Sequence, residues 1–472
     1  MQRRPLVVDL DGTLIQTDML HEAVVGLLRR APWQIAFIPL WLMNGKVRLK
    51  QKLSYKASFN PTSLPYNNDL IDWLKEQKAA GRKLILCTAA EETIAKRIAV
   101  HLGYFDEVMA TGEFINLRGE QKAQALIHRF GIGGFDYIGN SDKDLPVWKK
   151  ARRAIIVNAP LSLVQKTKEC CEIERVFPAT QRNLKLGIHL FRSYQWLKNL
   201  LLFVPAIAAH QLSQLAIWIP LLFAFLSFSA CASAAYITND LLDLENDRLH
   251  PRKCLRPFAA GKIPIAWGAM LVPFLFFVSL FLGSFINTGF LSWLILYFVL
   301  TVTYSFWLKR FVLVDCLILA GLYTLRIIAG ATAVNLPVTF WLLGFSVFLF
   351  LSLAFVKRYT ELLFQTEDSK VGGRGYFKAD IPIVQMLGIA SGYAAVIVLA
   401  FYINSDAVIQ LYQTREFVWG AVPIMLFWIN WVWIRAHRGL VHDDPLIFAI
   451  KDKVSLFMGA LFALVLCLGT IG

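Results

Sequence analysis

The stretch Asn239-Asp240-Leu241-Leu242-Asp243-Leu244-Glu245-Asn246-Asp247 follows directly on an apolar run at 215–238. In helical geometry Asp240, Asp243 and Asp247 stand at i, i+3 and i+7 and share one face, with Asn239 beside them. Carboxylates stacked on one stripe at the end of an apolar span repel one another unless cations neutralise them. Mg²⁺ bridging a diphosphate does so, because it takes one or two carboxylates and completes its octahedron with water and phosphate oxygens. The next segment, Lys253-Cys-Leu-Arg256-Pro257-Phe-Ala-Ala-Gly261-Lys262, is a basic loop. Beside the acidic stripe it reads as a phosphate clamp, with Lys253 and Arg256 as its cations.

Outward from this motif the composition divides the chain. Of 472 residues, 17% are charged and 56% hydrophobic, with a formal charge of +15. Residues 1–199 carry 30 Lys/Arg and 19 Asp/Glu, whereas residues 200–472 carry 18 and 14. A soluble domain therefore precedes a membrane domain, and the charge divides between them with no basic patch that calls for nucleic acid. The seven cysteines show no metal-binding spacing and read as reduced. No apolar segment with a cleavage site opens the chain, so the first domain is expected in the cytoplasm.

Nine apolar stretches are long enough to cross a bilayer: 191–210, 215–238, 267–286, 289–308, 312–334, 338–358, 383–403, 416–434 and 454–472. Lys198, Asn199 and Pro205 make the first the weakest. Alternate loops hold the basic residues: Arg248 to Lys262, Lys309 with Arg310, Lys357 to Lys378, and Arg435 to Lys453. The other loops hold only Arg415. This alternation places the N-terminus inside and the C-terminus outside an inner membrane. Most carboxylates of this half, among them Asp315, Glu361, Glu367, Asp368, Asp443 and Asp444, fall on the basic side, whereas Asp406 and Glu416 fall opposite. Charges gathered at one mouth of a helical bundle suit a metal-phosphate ligand facing the cytoplasm.

The NDxxDxxxD motif followed by KxxRP and a small-residue glycine resembles the first signature of the UbiA superfamily of intramembrane prenyltransferases, over residues 190–472. That resemblance implies an all-α nine-helix bundle, a diphosphate donor held through Mg²⁺ by Asn239, Asp240, Asp243 and Asp247, and a lipid chain in a side-open tunnel. Within the superfamily, Arg192-Ser-Tyr-Gln-Trp-Leu-Lys198-Asn199 is similar to the opening motif of polyprenyl-phosphate phosphoribosyltransferases, with Ser193 in place of the usual proline. Tyr304 to Lys309 with Asp315 and Arg326, Lys357-Arg358-Tyr-Thr-Glu361, and His442 to Pro445 with Asp452 also resemble theirs. Quinone-type relatives carry a second Asp-rich cluster where this chain has Lys357, Arg358, Glu361 and Arg374. Cations there suit a donor with an additional phosphate, such as phosphoribosyl diphosphate. Arg326 lies inside the fifth span, where a central charge costs about 2.5 to 3.5 kcal/mol. Its partner is either an anionic lipid phosphate or Asp315. The expected substrate-binding set is Lys198, Asn199, Lys253, Arg256, Tyr304, Lys309, Asp315, Arg326, Lys357, Arg358 and Glu361. The expected step is displacement at the ribose anomeric carbon by a polyprenyl-phosphate oxygen, an anion that needs no strong base.

In the soluble half, Pro5-Leu-Val-Val-Asp9-Leu-Asp11-Gly12-Thr13 is a short buried strand ending in two carboxylates. Strand Lys83 to Thr88 ends in a hydroxyl, Lys122 opens a helix, and Phe135 to Asp144 is a strand ending in acids. In α/β sheets ligands bind at such strand ends. The order Asp, Thr, Lys, Asp resembles the haloacid dehalogenase superfamily, over residues 1 to about 160. It implies a Rossmann-like α/β domain at 1–165 with a small helical cap near 16–78, a linker at 166–190, and the membrane domain at 191–472. It also implies Asp9 as nucleophile, Asp11 as general acid/base, Thr88 and Lys122 as phosphoryl ligands, and Mg²⁺ on Asp9, Asp11 and Asp144. Asn140 stands where the motif usually has Asp. The segment Trp33 to Leu42 is apolar but too short to span.

The two resemblances together predict transfer of 5-phosphoribosyl to a polyprenyl phosphate and removal of its 5-phosphate, toward lipid-linked ribose for cell-envelope glycans. The alternative is prenyl transfer from a prenyl diphosphate to an aromatic or quinone-precursor acceptor, with a regulatory phosphatase-like domain.

Overall fold

Leu6–Val8, three residues with no exposed surface, form the central strand β1 of a parallel sheet. In this computed structural model β2 (Leu84–Glu91) and β4 (Asp136–Gly139) flank it, and β3 (Glu107–Thr111), β5 (Arg153–Val157) and β6 (Glu172–Phe177) complete the order β3-β2-β1-β4-β5-β6. The structure describes residues 4–56, 59–112, 117–178, 184–211, 213–364, 374–405, 408, 412–441 and 444–470. Glu367, Asp368, Lys370, Asp406, His442 and Asp443 therefore lie outside the described residues. The buried Val, Ile and Leu runs read as parallel strands because helices cover both faces. The strand order reverses between β1 and β4, which makes the carboxyl end of β1 the natural ligand position.

The chain packs as two units, Met1–Leu190 with Asn239–Met270, and Phe191–Thr238 with Leu271–Gly472. Two expected boundaries change within the first. The cap is the helical group Met19–Arg30, Pro32–Met43 and Lys46–Lys56, closed over Ala23, Leu27, Trp41, Leu49 and Leu53. Helix Asn68–Ala79, expected in the cap, instead packs Leu70, Trp73 and Leu74 into the sheet core. The stretch 166–190 is not a linker throughout, because β6 adds to β5 with Phe177 buried. Alternating charges in Glu172-Ile-Glu-Arg-Val-Phe177 disguise an edge strand that needs only one buried face.

In the second unit and the helices leading into it, eight helices among the described residues are long and apolar enough to cross a membrane: Leu215–Leu242, Ile265–Ser284, Thr288–Phe306, Val314–Ala333, Phe340–Leu363, Lys378–Ile403, Glu416–His437 and Lys453–Thr470. Phe274, Phe277 and Phe281 stand exposed on one of them, a surface fit for lipid and not for water. The chain is a multi-pass membrane protein. The expected first span at 191–210 is not a long α-helix. Arg192 adopts a left-handed backbone, Ser193–Phe203 winds as a 3₁₀ helix, and Val204–Ala208 adds a short α turn. Its polar pair explains this, since Lys198 and Asn199 are both buried and held by partners inside the unit. Gly330 admits the segment closely: a Cβ there would come within 2.0 Å of the Leu202 carbonyl oxygen.

Candidate functional site

At the carboxyl end of β1, Asp9 is buried and accepts a 2.7 Å hydrogen bond from Lys122 Nζ, which helix Glu120–Phe130 supplies. Lys122 also donates to Tyr137 Oη at 3.0 Å, and Tyr137 donates to Asp144 Oδ1 at 2.8 Å. The other oxygen of Asp144 accepts from the backbone N–H groups of Asn140 and Ser141 and from Ser141 Oγ. Asp11 accepts from the Met19 backbone N–H at 2.9 Å, which joins it to the first residue of the cap. Thr88 Oγ1 is fully buried within β2, which runs on to Glu91 instead of ending at Thr88, and accepts from the Ala90 N–H. Gly12 has φ of +74°, a left-handed turn that glycine takes without strain and that sends the chain away after Asp11.

Electrostatics separate the two carboxylates. Burial pushes Asp11 up to about 8, with Asp18 and Asp9 adding to the rise. Burial also raises Asp9, but Lys122 opposes it and the result is about 6. Burial pulls the Lys122 ammonium down, and Asp9 and Asp144 outweigh it, so its pKa is raised. At neutral pH Asp11 can carry a proton while Asp9 is largely ionised, the division that a general acid and a nucleophile need. All four groups, Asp9, Thr88, Lys122 and Asp144, lie within this one unit, on its parallel sheet and on the turns and helices beside it. Tyr137 is the member that sequence reading missed. In Phe135-Asp-Tyr-Ile-Gly139 it looks like a core aromatic, and only the fold brings its hydroxyl between Lys122 and Asp144.

The acidic segment belongs to the same unit. Its helix is interrupted: one helix ends at Leu242 and the next, Leu244–Leu249, begins after Asp243. The i→i−4 bonds Asp243 N–H to Asn239 and Asp247 N–H to Asp243 persist across the junction. Asp240 and Asp247 consequently stay on one side and converge on Arg256, whose Nη1 donates at 3.2 and 2.5 Å. Arg256 is thus paired with two carboxylates of the stripe. Among the described residues no three His, Cys, Asp or Glu side chains are gathered as a ready metal cage. The donor chemistry nevertheless fits Mg²⁺: hard carboxylate oxygens, two of which already share one cationic position. The cap holds this segment directly. Arg248 makes a bidentate pair with Glu22, at 3.1 and 2.6 Å, and Arg29 meets Glu245 at 2.5 Å.

In the second unit, Asp444 caps helix Pro445–Lys451 and gathers Lys198 at 2.6 Å, Lys357 at 3.5 Å and the Tyr323 hydroxyl at 2.9 Å. Asn199 donates to Ser229 and accepts from Arg326 Nε. Arg326 also donates to the Leu322 carbonyl and to Tyr297 Oη. The expected pairing of Arg326 with Asp315 is not observed, because neutral oxygens take the guanidinium nitrogens and Asp315 is engaged elsewhere. Asp315 pairs with Arg358 at 2.6 Å and accepts from Tyr376 at 2.7 Å. Arg358 has no exposed surface and also pairs with Glu361, which Arg374 joins. Arg358, Asp315, Glu361 and Arg374 therefore form one ion network. Tyr304 and Lys309 are buried at the end of Thr288–Phe306 and in the turn after it. Leu197, Leu200, Leu201, Val204, Ile447 and Ile450 line an apolar groove of about 280 Å³ that has Lys198 at its wall.

The chain is 35% identical over 467 residues to the uncharacterized protein y4nM of Sinorhizobium fredii, covering 98% of this chain and 90% of that one. It is 38% identical over 275 residues to the nodulation protein NoeC of Azorhizobium caulinodans, which spans 56% of this chain and 87% of that one. It is also 33% identical over 195 residues to a decaprenyl-phosphate phosphoribosyltransferase of Mycobacterium tuberculosis, covering 40% and 64% of the two chains. The UbiA prenyltransferase family matches residues 199–448, from the buried Asn199 through the acidic segment to the helix that Asp444 caps. With more than half of its length so matched, the chain belongs to the UbiA prenyltransferase family.

Proposed function

We propose that this protein transfers 5-phosphoribosyl from phosphoribosyl diphosphate to a polyprenyl phosphate, and that its N-terminal domain then removes the 5-phosphate. The observation that carries the reading is the convergence of Asp240 and Asp247 on one cationic position, in a membrane protein similar to a decaprenyl-phosphate phosphoribosyltransferase. Asn239, Asp240, Asp243 and Asp247 would hold Mg²⁺, which when bound screens the diphosphate charge. Lys253 and Arg256 bind the donor's phosphates, and Arg256 exchanges its carboxylate partners for phosphate oxygens. Lys198 and Lys357 neutralise the lipid phosphate, whose oxygen displaces pyrophosphate at the anomeric carbon. The apolar groove beside Lys198 suits part of the prenyl chain. The acceptor is already an anion, so no strong base is required.

In the N-terminal domain Asp9 attacks the 5-phosphate to give an aspartyl phosphate. Asp11 protonates the departing ribose oxygen and then takes a proton from the hydrolysing water. Thr88 and Lys122 hold the phosphoryl oxygens. Asp9 and Asp144 would hold the Mg²⁺ of this site, which leaves Asp11 to carry its proton. The products point to an inner-membrane enzyme that works from the cytoplasmic face and serves cell-envelope glycan synthesis.

Purified protein given phosphoribosyl diphosphate and polyprenyl phosphate should release pyrophosphate and form the dephosphorylated lipid ribose. Asp9→Asn should stop at the phosphorylated lipid. If Asp9→Asn yields the same dephosphorylated product, the coupling is wrong. If a labelled prenyl diphosphate is transferred to a phenolic acceptor and phosphoribosyl diphosphate does not compete, the donor assignment is wrong.

A further inference from the structure

Between Arg29 and Lys56 the chain carries seven Lys or Arg and no Asp or Glu. The middle of this stretch is the apolar segment Pro32–Met43, a 3₁₀ turn running into a short α-helix. Its inner side is accounted for: Ile35, Ile38 and Trp41 pack onto Ala23, Leu27, Leu49 and Leu53. Its outer side is not. Trp33, Phe37, Leu40, Leu42 and Met43 are exposed, Trp33 at 66% and Met43 at 84%, and no other element of the unit covers them. Arg30, Arg48, Lys52 and Lys56 are exposed on the two helices that flank this segment in the chain. Lys52 and Lys56 also lie over the Trp41 ring, at 5.6 and 5.1 Å, so their stems cover apolar surface while their charges reach outward.

We propose that this face of the cap seats in the interfacial layer of an anionic bilayer. An apolar face rimmed by basic side chains, too short to span, lies in the membrane plane with its aromatic and aliphatic groups among the upper acyl chains. The charge complementarity selects acidic headgroups, each Lys or Arg near such a surface adding attraction. The other unit of the same chain crosses a membrane through apolar helices, so the surface is present wherever the protein is. The inward set supplies the cap core, and the outward set is not part of it.

The test uses the full chain in nanodiscs containing a phospholipid with a photoactivatable acyl chain, with labelled peptides mapped by mass spectrometry. Peptides covering 32–43 should be labelled along with the spanning helices, which serve as the internal control. Labelling of 32–43 should be several-fold stronger in discs rich in phosphatidylglycerol than in phosphatidylcholine alone. The variant Trp33→Ser/Phe37→Ser/Met43→Ser should lose it while the spanning helices stay labelled. Spanning helices labelled with 32–43 blank would overturn the proposal, as would equal labelling in the two lipids. Loss of labelling because two copies meet through this face, seen as two chains per disc that the triple variant separates, would overturn it as well.

Discussion

Replacing Tyr137 by phenylalanine removes one oxygen from the candidate site around Asp9 and leaves the ring in place. That oxygen accepts from Lys122 at 3.0 Å and donates to Asp144 at 2.8 Å. Burial, together with Asp144 and Asp9, holds the phenol well above its ordinary pKa, so it stays a neutral donor. Lys122 keeps its bond to Asp9, and Asp144 Oδ2 keeps its three donors, so both groups remain in place but lose their cross-link. A hydrogen bond to a charged group contributes about 1.5–3 kcal/mol. If one such bond positions Lys122 for the phosphoryl oxygens, turnover should fall about ten- to a hundredfold, since each 1.36 kcal/mol is tenfold. The ring still packs edge-on against Trp148, with centroids 6.3 Å apart, so the fold should persist. The assay is hydrolysis of p-nitrophenyl phosphate by the full chain in detergent, with Asp9→Asn as the blank. A kcat within about twofold of the parent, at unchanged KM, would refute a positioning role for Tyr137.

Two ion pairs make further predictions. Glu22→Gln leaves Arg248 buried without its carboxylate, and breaking a buried pair costs about 3–5 kcal/mol, less here because the amide retains one acceptor. Protease cleavage within the cap should therefore accelerate, and the swap Glu22→Arg with Arg248→Glu should restore part of the resistance; a neutral single variant would mean that the pair does not hold the acidic segment. Arg358→Met strands Asp315 in a fully buried position and should lower the thermal midpoint by several degrees. Adding Asp315→Leu should recover much of that loss, and no recovery would show that the pair is not the source of the cost.

Much of the site could be read in advance because its chemistry is local. Asp9 and Asp11 follow an apolar strand by one and three positions, and the acidic stripe follows an apolar run, so neighbouring residues alone declare them. Tyr137 could not be read, since an aromatic in a buried strand has the same signature whether its hydroxyl works or not. The same is true of Arg358, which looks like a loop cation beside Lys357 but lies fully buried against Asp315. The stretch at 191–210 has the apolar content of a span, and its backbone departs from α-helix where Lys198 and Asn199 reach distant partners.

Composition, periodicity and motif spacing by themselves determined that an α/β domain is joined to a helical membrane domain, because burial in sheet or lipid selects residues position by position. They also singled out the acidic and basic residues to be considered for metal and phosphate. Tertiary structure alone decided which charges neutralise which. Arg256 closes on Asp240 and Asp247, Arg326 turns to Asn199 and Tyr297, and the cap's Glu22 reaches Arg248, 226 residues away. A buried charge takes whichever partner the fold brings within hydrogen-bond reach, and distance along the chain does not encode that choice.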